Sequence, residues 1–426
     1  MFETECDVAV IGGGAAGLAA ATEVAGRGGK ALILEREAQL GGILQQCIHT
    51  GFGLKRFREE LSGPEYAGRE IAGMRERRVE ALLECTVTDL RENGRGKILL
   101  ASSRSRGVVK VHAGAVILAM GCRERNRGNL GIAGTRPAGV MTAGLAQRLA
   151  NLEGCLPGRR AVIIGSGDIG LIMARRLTWI GAKVLAVVEI LPYPSGLARN
   201  VAQCLDDYGI PLLLGHAVTR IEGRDRVNGV EVSPLVEGTP DRSGAVILPC
   251  DTVLLSVGLI PENELSKKIG VTLSLATGGP MVNSSLMTNI PGIFACGNVL
   301  HVHDLADNVS EEAVTCGAAA FRHLGQGGAP APAEGAVLAA ANLKYVLPSQ
   351  YRPGTAQRFA MRALTPFDQA ELTVCAAGRE LFRKELRHVR PAEMLEVALT
   401  AGQVPAEADA PPLEFSLMPA GKDAVA

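Results

Sequence analysis

Two stretches of this chain carry the same device, and that device leaves few folds open. From Cys6 to Glu35 the residues read as strand, glycine turn, helix, strand: CDVAVI, then GGGAAG over Gly12 to Gly17, a small-residue helix to about Ala25, and KALILE ending on Glu35. From Arg160 to Glu189, RAVIIGSGDIGLIMARRLTWIGAKVLAVVE repeats it, with Gly165, Gly167 and Gly170 as the glycines. The first glycine of such a set permits the tight turn out of a strand. The second leaves no Cβ in the way of a pyrophosphate, and the third lets the helix pack against the strand. The helix N-terminus adds free N–H groups and the positive end of a dipole. Glu35 follows Gly17 by eighteen residues and Glu189 follows Gly170 by nineteen. A carboxylate at that place can accept from the hydroxyls of an adenosine ribose. Two such folds imply two dinucleotides, or one dinucleotide and a degenerate copy.

A length of 426 residues suggests roughly three domains of about 150 residues each. With 47% hydrophobic residues there is ample material for buried cores. Lys plus Arg and Asp plus Glu both number 44, so no overall field favours nucleic acid or an anionic membrane. The basic cluster Arg75 to Arg78 reads as a solvated helix face. A strand begins within six residues, leaving no room for a signal peptide. No apolar run reaches the ~18 residues that span a bilayer. Ten cysteines are scattered without a CxxC pair, which leaves neither a zinc ribbon nor an iron–sulfur cradle to read. A cytoplasmic protein with mostly reduced, buried thiols is expected.

Along the chain, a helix is expected from Gly63 to Arg77, then a strand from Ala81 to Leu90. An antiparallel piece follows (Lys97 to Ser102, then Gly107 to His112), closed by a further strand, AGAVILAMG, ending at Gly121. Met141 to Leu152 should be helical. CDTVLLSVG, ending at Gly258, is the counterpart of AGAVILAMG, so a whole domain is duplicated. NIPGIFACGN is a short buried strand entering a glycine turn, and a helix should begin at Ser310 as N-cap, with acids in its first turn. Gly325 to Gly335 reads as a Pro/Ala/Gly linker. Beyond it come short strands, then a loose tail after Pro419. Trp179 is expected in the core.

GGGAAG with Glu35, GSGDIG with Glu189, and a late FACGN before a helix together resemble the two-dinucleotide flavoprotein reductases, the thioredoxin-reductase and disulfide-reductase superfamily. The resemblance covers residues 1 to about 325. It implies an α/β fold with two Rossmann-like, three-layer (ββα) domains, the second inserted in the first. The FAD-binding domain would comprise 1–121 and 259–325, the NAD(H)-binding domain 122–258, and a small β-rich domain 336–426. GGILQQCIHTGFGLKRF, GSGDIGLIMARRL and IFACGNVLHVHDLADNVSEEA look like one branch: FAD/NAD-binding subunits associated with glycerol-3-phosphate-dehydrogenase-like flavoproteins and a small cysteine-containing protein. Related opine and hydroxyproline dehydrogenase subunits carry a C-terminal cysteine cluster. Only Cys375 follows the linker here, so that cluster is absent.

By that resemblance Gly12, Gly14, Ala15, Ala16 and Gly17 would meet the FAD pyrophosphate, and Glu35 with Arg36 the adenosine ribose. Gly41, Gly42 and Leu44 would line the isoalloxazine, and Val87 would contact adenine. Ala119 to Gly121 match the small-residue turn after the FAD-domain strand. Gly297 and Asn298 match the late glycine–aspartate motif, with Asn298 replacing the aspartate. Ser310 and Glu311 would present helix N–H groups to the flavin. Gly165, Gly167, Asp168, Gly170, Glu189 and Gly258 would bind the nicotinamide dinucleotide, Glu189 favouring NAD(H) over NADP(H).

For chemistry beyond the cofactors, Cys47 with His49 is a candidate lone thiolate. His303 is a candidate proton carrier. His301, His303 and Asp304 form an HxHD cluster, but near-contiguous loop residues rarely converge and no distant fourth ligand is evident, so no metal is expected. Cys122, Cys296 and Cys316 read as buried structural thiols. The expected protein is an FAD-dependent oxidoreductase that exchanges a hydride with NAD(H) and relays electrons to or from a partner flavoprotein dehydrogenase, as part of a homo- or hetero-oligomer. The alternatives are a stand-alone NADH-dependent reductase or oxidase, and a non-catalytic FAD-binding scaffold.

Overall fold

The computed structural model describes residues 1–94, 96–325, 333–407 and 410–420. Met1–Cys122 and Pro261–Ala426 form one unit, and Arg123–Ile260 forms the other.

In the first unit the apolar runs become strands buried on both faces, as parallel strands flanked by helices must be. Phe2–Ile11 pairs in parallel with Ala31–Leu34 on one side, Val8 opposite Ala31, and with Gly107–Leu118 on the other, Phe2 opposite Val109. Glu80–Leu82 extends the sheet beyond Ala31–Leu34. Lys97–Ser103 and Cys85–Glu92 extend it antiparallel beyond Gly107–Leu118. Ile293–Ala295 returns late in the chain to pair in parallel with Val116–Leu118.

Two strand expectations are corrected. The run expected from Ala81 to Leu90 is broken at Glu84, whose φ is +48°, into Glu80–Leu82 and Cys85–Glu92. Conversely, the hairpin arm from Gly107 and the apolar run AGAVILAMG are one continuous strand, Gly107–Leu118, because Gly114 fits flat where Leu324 and the Asp7 carbonyl leave no room for a side chain.

The helix Gly63–Glu76 begins at Ser62, whose N–H and Oγ both donate to Glu65 Oε2 (2.8 and 2.7 Å), a reciprocal cap. Arg75 to Arg78 are exposed at its end, apart from the backbone turn that closes it. The long helix Ala306–Gly325 lies against Ala15–Gly26, and a Cβ on Gly317 would come within 2.5 Å of the Ala20 carbonyl oxygen. This helix starts four residues before the expected Ser310. Ser310 is therefore inside the helix, its hydroxyl donating to Glu70 Oε1 (3.0 Å) and meeting Tyr66 OH (2.8 Å).

The C-terminal strands form a five-stranded sheet, in the order Gln350–Tyr351, Gly335–Ala339, Leu413–Pro419, Phe367–Ala376, Arg379–Val389, and a three-stranded sheet of Leu343–Leu347, Gln357–Ala363 and Leu395–Leu399. They enclose their own core around Phe359, Met361 and Phe415, while Tyr345 and Leu347 join the core of the dinucleotide fold. Most of the expected linker from Gly325 to Gly335, and all of the expected tail except Ala420, lie outside the described residues.

The second unit is a parallel sheet in the order Val140–Thr142, Thr252–Leu255, Arg160–Ile164, Lys183–Glu189, Leu212–Leu214. Helices Ala143–Asn151 and Asp168–Trp179 bury alanines and leucines against it. An antiparallel group, His216–Gly223, Val227–Val236 and Val246–Leu248, completes the unit. Trp179 is 57% exposed rather than buried; its Nε1 donates to Tyr208 OH (2.7 Å), which satisfies the indole at the surface. Among the described residues no helix is long and apolar enough to cross a membrane.

Candidate functional site

The first glycine turn is built by close approaches of main chain. Gly12 has φ +104°, and a Cβ there would stand 2.4 Å from the Ala119 carbonyl oxygen. A Cβ on Gly17 would stand 1.8 Å from the Gly12 carbonyl oxygen, so the helix can begin at Ala15 only without one. Gly14, the N-cap, is different: nothing lies within 4 Å of its would-be Cβ, and no side chain caps the helix. The amides of the first turn thus have no side-chain cap, and Gly14 adds no bulk beside them, which is what an anion at a helix N-terminus requires.

Glu35 is 5% exposed and accepts from the amides of Gly13 (2.6 Å, Oε2) and Glu37 (2.8 Å, Oε1). An ionised carboxylate has about four acceptor sites, so about two remain for a ligand's hydroxyls. Arg36 points outward, its side chain 69% exposed.

Gly41, Gly42, Leu44 and Gly297 meet at this turn, and the other expected residues lie as follows. Gly41 N–H donates to the Gly13 carbonyl (2.8 Å), and a Cβ on Gly42 would approach Gly14 Cα to 3.1 Å. Leu44 is buried with Tyr66 and Ala67, and Ala15 lies against that cluster. Gly297, at φ +73°, sits over Ala16 with room for no side chain. Asn298 Oδ1 accepts from His303 N–H (3.0 Å), and its Nδ2 lies 3.7 Å from Cys122 Sγ. Val87 is half-buried on Cys85–Glu92, opposite Ala101. Gly121 follows Ala119 with φ +70°; Ala119 N–H donates to Ile11 O (2.9 Å).

The expected helix-terminal amides of Ser310 and Glu311 are corrected. Both residues lie beyond the first turn of Ala306–Gly325, and the Glu311 carboxylate is at the surface near Arg358 (3.7 Å). The acid in the actual first turn is Asp307, whose carboxylate accepts from the amides of Gly53, Lys55 and Arg56 (3.0, 3.1 and 2.8 Å).

In the second unit Gly165 has φ +88°, its would-be Cβ 2.2 Å from the Ser256 carbonyl oxygen, and Gly167 caps Asp168–Trp179 without a side-chain bond. Gly170 presses on Ser256, whose Oγ accepts its amide (3.0 Å). Gly258 has φ +99° beside the Arg125 side chain. Asp168 Oδ1 accepts from Leu197 N–H (2.8 Å) and Asn200 Nδ2 (2.6 Å), tying the loop after Glu189 to the turn. Glu189, 4% exposed, receives four donors: Ser166 N–H, Ser166 Oγ and Ser195 Oγ on Oε2 (2.9, 2.6 and 2.9 Å) and Leu191 N–H on Oε1 (3.1 Å). The two acids that look alike in sequence therefore differ in spare capacity.

Cys47 sits at the end of the 3₁₀ turn Gly42–Gln46, its Sγ 3.3 Å from Ile43 O. Burial pushes its thiol up to about 12, so the thiolate the sequence suggested is not populated at neutral pH. His49 is half-buried and turns Nδ1 to Thr50 O (2.9 Å). Cys296 and Cys316 are buried side by side, and their mutual hydrogen bond, with burial, holds the Cys296 thiol well up. Cys122 is half-buried beside Asn298, not within the core.

The HxHD cluster also departs from expectation. His301 and His303 do converge, their ring centroids 4.1 Å apart, and Glu312 from the long helix joins them. Asp304 turns away to pair with Arg362 and to accept Met394 N–H (2.6 Å). Glu312 was missed because eleven positions and a change from loop to helix separate it from His301; nothing local marks the contact.

The fold matches solved structures of thioredoxin reductase. That from Thermoplasma acidophilum aligns with TM-score 0.63 and 22% identity over 75% of this chain and 99% of its own, and that from Lactococcus lactis with TM-score 0.62 and 21% identity over the same shares. Among curated proteins, the chain is 27% identical to the mitochondrial dihydrolipoyl dehydrogenase of Caenorhabditis elegans, over 73% of this chain and 67% of that protein. It is 27% identical to an opine oxidase subunit of Agrobacterium tumefaciens (68% and 61%) and 26% identical to the hydrogen cyanide synthase subunit HcnB of Pseudomonas aeruginosa (63% and 60%). The matches thus span about two thirds or less of these relatives' own lengths. The sequence model of the family described as "Pyridine nucleotide-disulphide oxidoreductase" matches residues 6–320. The chain belongs to that family, and it is an oxidoreductase of the kind that binds FAD and uses a nicotinamide dinucleotide.

Proposed function

We propose that this chain takes a hydride from, or returns it to, NAD(H) through a bound FAD, and exchanges electrons with a partner dehydrogenase flavoprotein of the glycerol-3-phosphate-dehydrogenase-like kind. The observation that carries the reading is the pair of glycine turns, each with a helix N-terminus free of a side-chain cap and a buried glutamate at the end of the next strand. The partner is suggested by relatives named as subunits, one of an opine oxidase and one, HcnB, of a hydrogen cyanide synthase.

When bound, the flavin and the nicotinamide supply the redox chemistry; the protein binds, orients and excludes water. The turn from Gly12 to Gly17 would hold the FAD pyrophosphate on the main-chain amides of its helix start, those of Gly12 and Gly13 being bound to Leu34 O and Glu35, and Glu35 would take ribose hydroxyls on its remaining acceptor sites. The positive-φ pair Gly41–Gly42, touching Gly13 and Gly14, would lay main chain along the isoalloxazine, with Leu44 behind it. Asn298 would meet the ribityl chain through Nδ2, since its Oδ1 is held by His303 N–H. Gly165 to Gly170 would receive the second dinucleotide, and Glu189 disfavours a 2′-phosphate by charge. Thiol chemistry is not part of the reading, because Cys47 stays protonated.

Anaerobic addition of NADH to the purified yellow protein tests this. Bleaching supports the reading, and restoration of colour by a co-purifying flavoprotein supports the partner. A flavin that NADH does not bleach overturns the hydride exchange. Reoxidation by a small acceptor as fast as by any partner overturns the relay.

A further inference from the structure

We propose that His301, His303 and Glu312 form a binding site for one divalent first-row transition ion of the Zn²⁺ type. The cluster adjoins Gly297 and Asn298 through hydrogen bonds, but the inference does not depend on flavin or nicotinamide chemistry.

The ligand atoms of the three residues lie within 4.8 Å of one another. His301 is 1% exposed and the His303 side chain 3%. Each residue also has its other polar atom held from behind. His303 Nδ1 faces the His301 carbonyl oxygen (3.0 Å), His301 Nδ1 faces Tyr345 OH (3.3 Å), and Glu312 Oε1 accepts Gly297 N–H (2.6 Å). Both imidazoles therefore present Nε2 inward, and the carboxylate presents Oε2. An outer shell that fixes ring orientation while the second nitrogen points at a common centre is the arrangement metal-bound histidines adopt.

Charge gives a second argument. A carbonyl oxygen can only accept, so His303 Nδ1 must carry hydrogen, and in the neutral ring its Nε2 lone pair faces Glu312 Oε2. Two lone pairs facing one another in a buried place need a positive charge between them. Arg362, the nearby guanidinium, already serves Asp304 and the carbonyls of Val302, Pro391 and Ala392. The choice is then between a proton on the imidazole and a metal ion. A charge-assisted N–H···O bond draws its atoms to about 2.7–2.9 Å. Two donors at ~2.1 Å from a shared tetrahedral ion stand roughly 3.4 Å apart. His303 Nε2 and Glu312 Oε2 are 3.5 Å apart, the spacing of two ligands. His301 Nε2, at 2.8 Å from Glu312 Oε2, has the spacing of a hydrogen bond; it would give up that proton and move back by about half an ångström to admit the ion.

Two imidazoles and one carboxylate suit Zn²⁺, with a fourth position left for water, and the closed-shell ion has no redox chemistry of its own. Through Glu312 Oε1 the ion would brace Gly297, the residue that sits over Ala16 at the first glycine turn.

The test uses the full-length flavin-loaded protein, stripped with a chelator and titrated with Zn²⁺ and, for its visible spectrum, Co²⁺. One equivalent per chain is expected, with the d–d bands of a low-coordinate Co²⁺ site. Affinity should fall on the order of 100-fold or more in H303A and in E312Q. H112A, which removes a surface histidine paired with Glu3, should bind as the parent does. Flavin content and circular dichroism identify any variant that has misfolded; for such a variant the conservative H303Q replaces H303A. Iron or zinc found in the purified protein and lost in E312Q supports the site. Failure of the stripped parent to take up either ion, or uptake by E312Q equal to the parent's, overturns it and leaves a proton as the occupant.

Discussion

Gly17 stands directly over Gly12, so close that a Cβ on the former would lie 1.8 Å from the carbonyl oxygen of the latter. Main chain cannot give way by that much without moving the helix. At Gly14, two residues from Gly12, an added Cβ would meet nothing within 4 Å. The fold therefore requires Gly17 but not Gly14, and the proposed pyrophosphate site is what would require Gly14.

Accordingly, G17A should destabilise the protein itself, by about 1–3 kcal/mol or more, visible as a lowered thermal midpoint of flavin-free protein. G14A should leave that midpoint unchanged and lower FAD affinity, read by flavin fluorescence on dilution. Equal loss of apo stability in both variants would show that Gly14 is structural too.

Cys47 should be a poor nucleophile. With its thiol pushed up to about 12, alkylation by iodoacetamide at pH 8 should be far slower than at the exposed Cys155. Peptide mass spectrometry after timed labelling measures the ratio, and comparable rates would restore a thiolate role.

Ser195 would compete with a ribose for Glu189, which already holds three donors on Oε2 and one on Oε1. S195A should free one site and tighten NADH binding by a few-fold to tenfold, from the ~0.5–1.5 kcal/mol of one hydrogen bond. Titration of the bound flavin's fluorescence with NADH reads it. Unchanged or weaker binding would mean that the serine itself contacts the cofactor.

D304N should unseat the C-terminal strands. It leaves the Arg362 guanidinium, 13% exposed, without its carboxylate, at a cost of about 3–5 kcal/mol. Thermal unfolding with limited proteolysis would place the first cleavages in residues 333–407, and a midpoint equal to the parent's would show that the pair contributes nothing.

What the sequence revealed was local. Gly12, Gly14, Gly17 and Glu35 were legible because a turn, a helix start and a strand end lie within thirty residues and each imposes its own residue type. Ser310 misled because a serine followed by acids has the chemistry of a helix cap, whereas Asp307 starts the helix while holding amides from 53 to 56 across the fold. Glu312 and Tyr345 beside His301 were out of reach, since helix and strand bring them there from separate segments. Neither could sequence distinguish Glu35 from Glu189, whose difference rests on Ser166 and Ser195.

The late pairing of Ile293–Ala295 with Val116–Leu118 has a consequence for biosynthesis. Residues 123–260 are contiguous and can form their sheet as soon as they leave the ribosome, while the sheet begun by Phe2–Ile11 waits for a strand made only after them. The polypeptide emerging first is therefore the one completed last, and until then the edge of Val116–Leu118 is open to chaperones or to mispairing with another nascent chain.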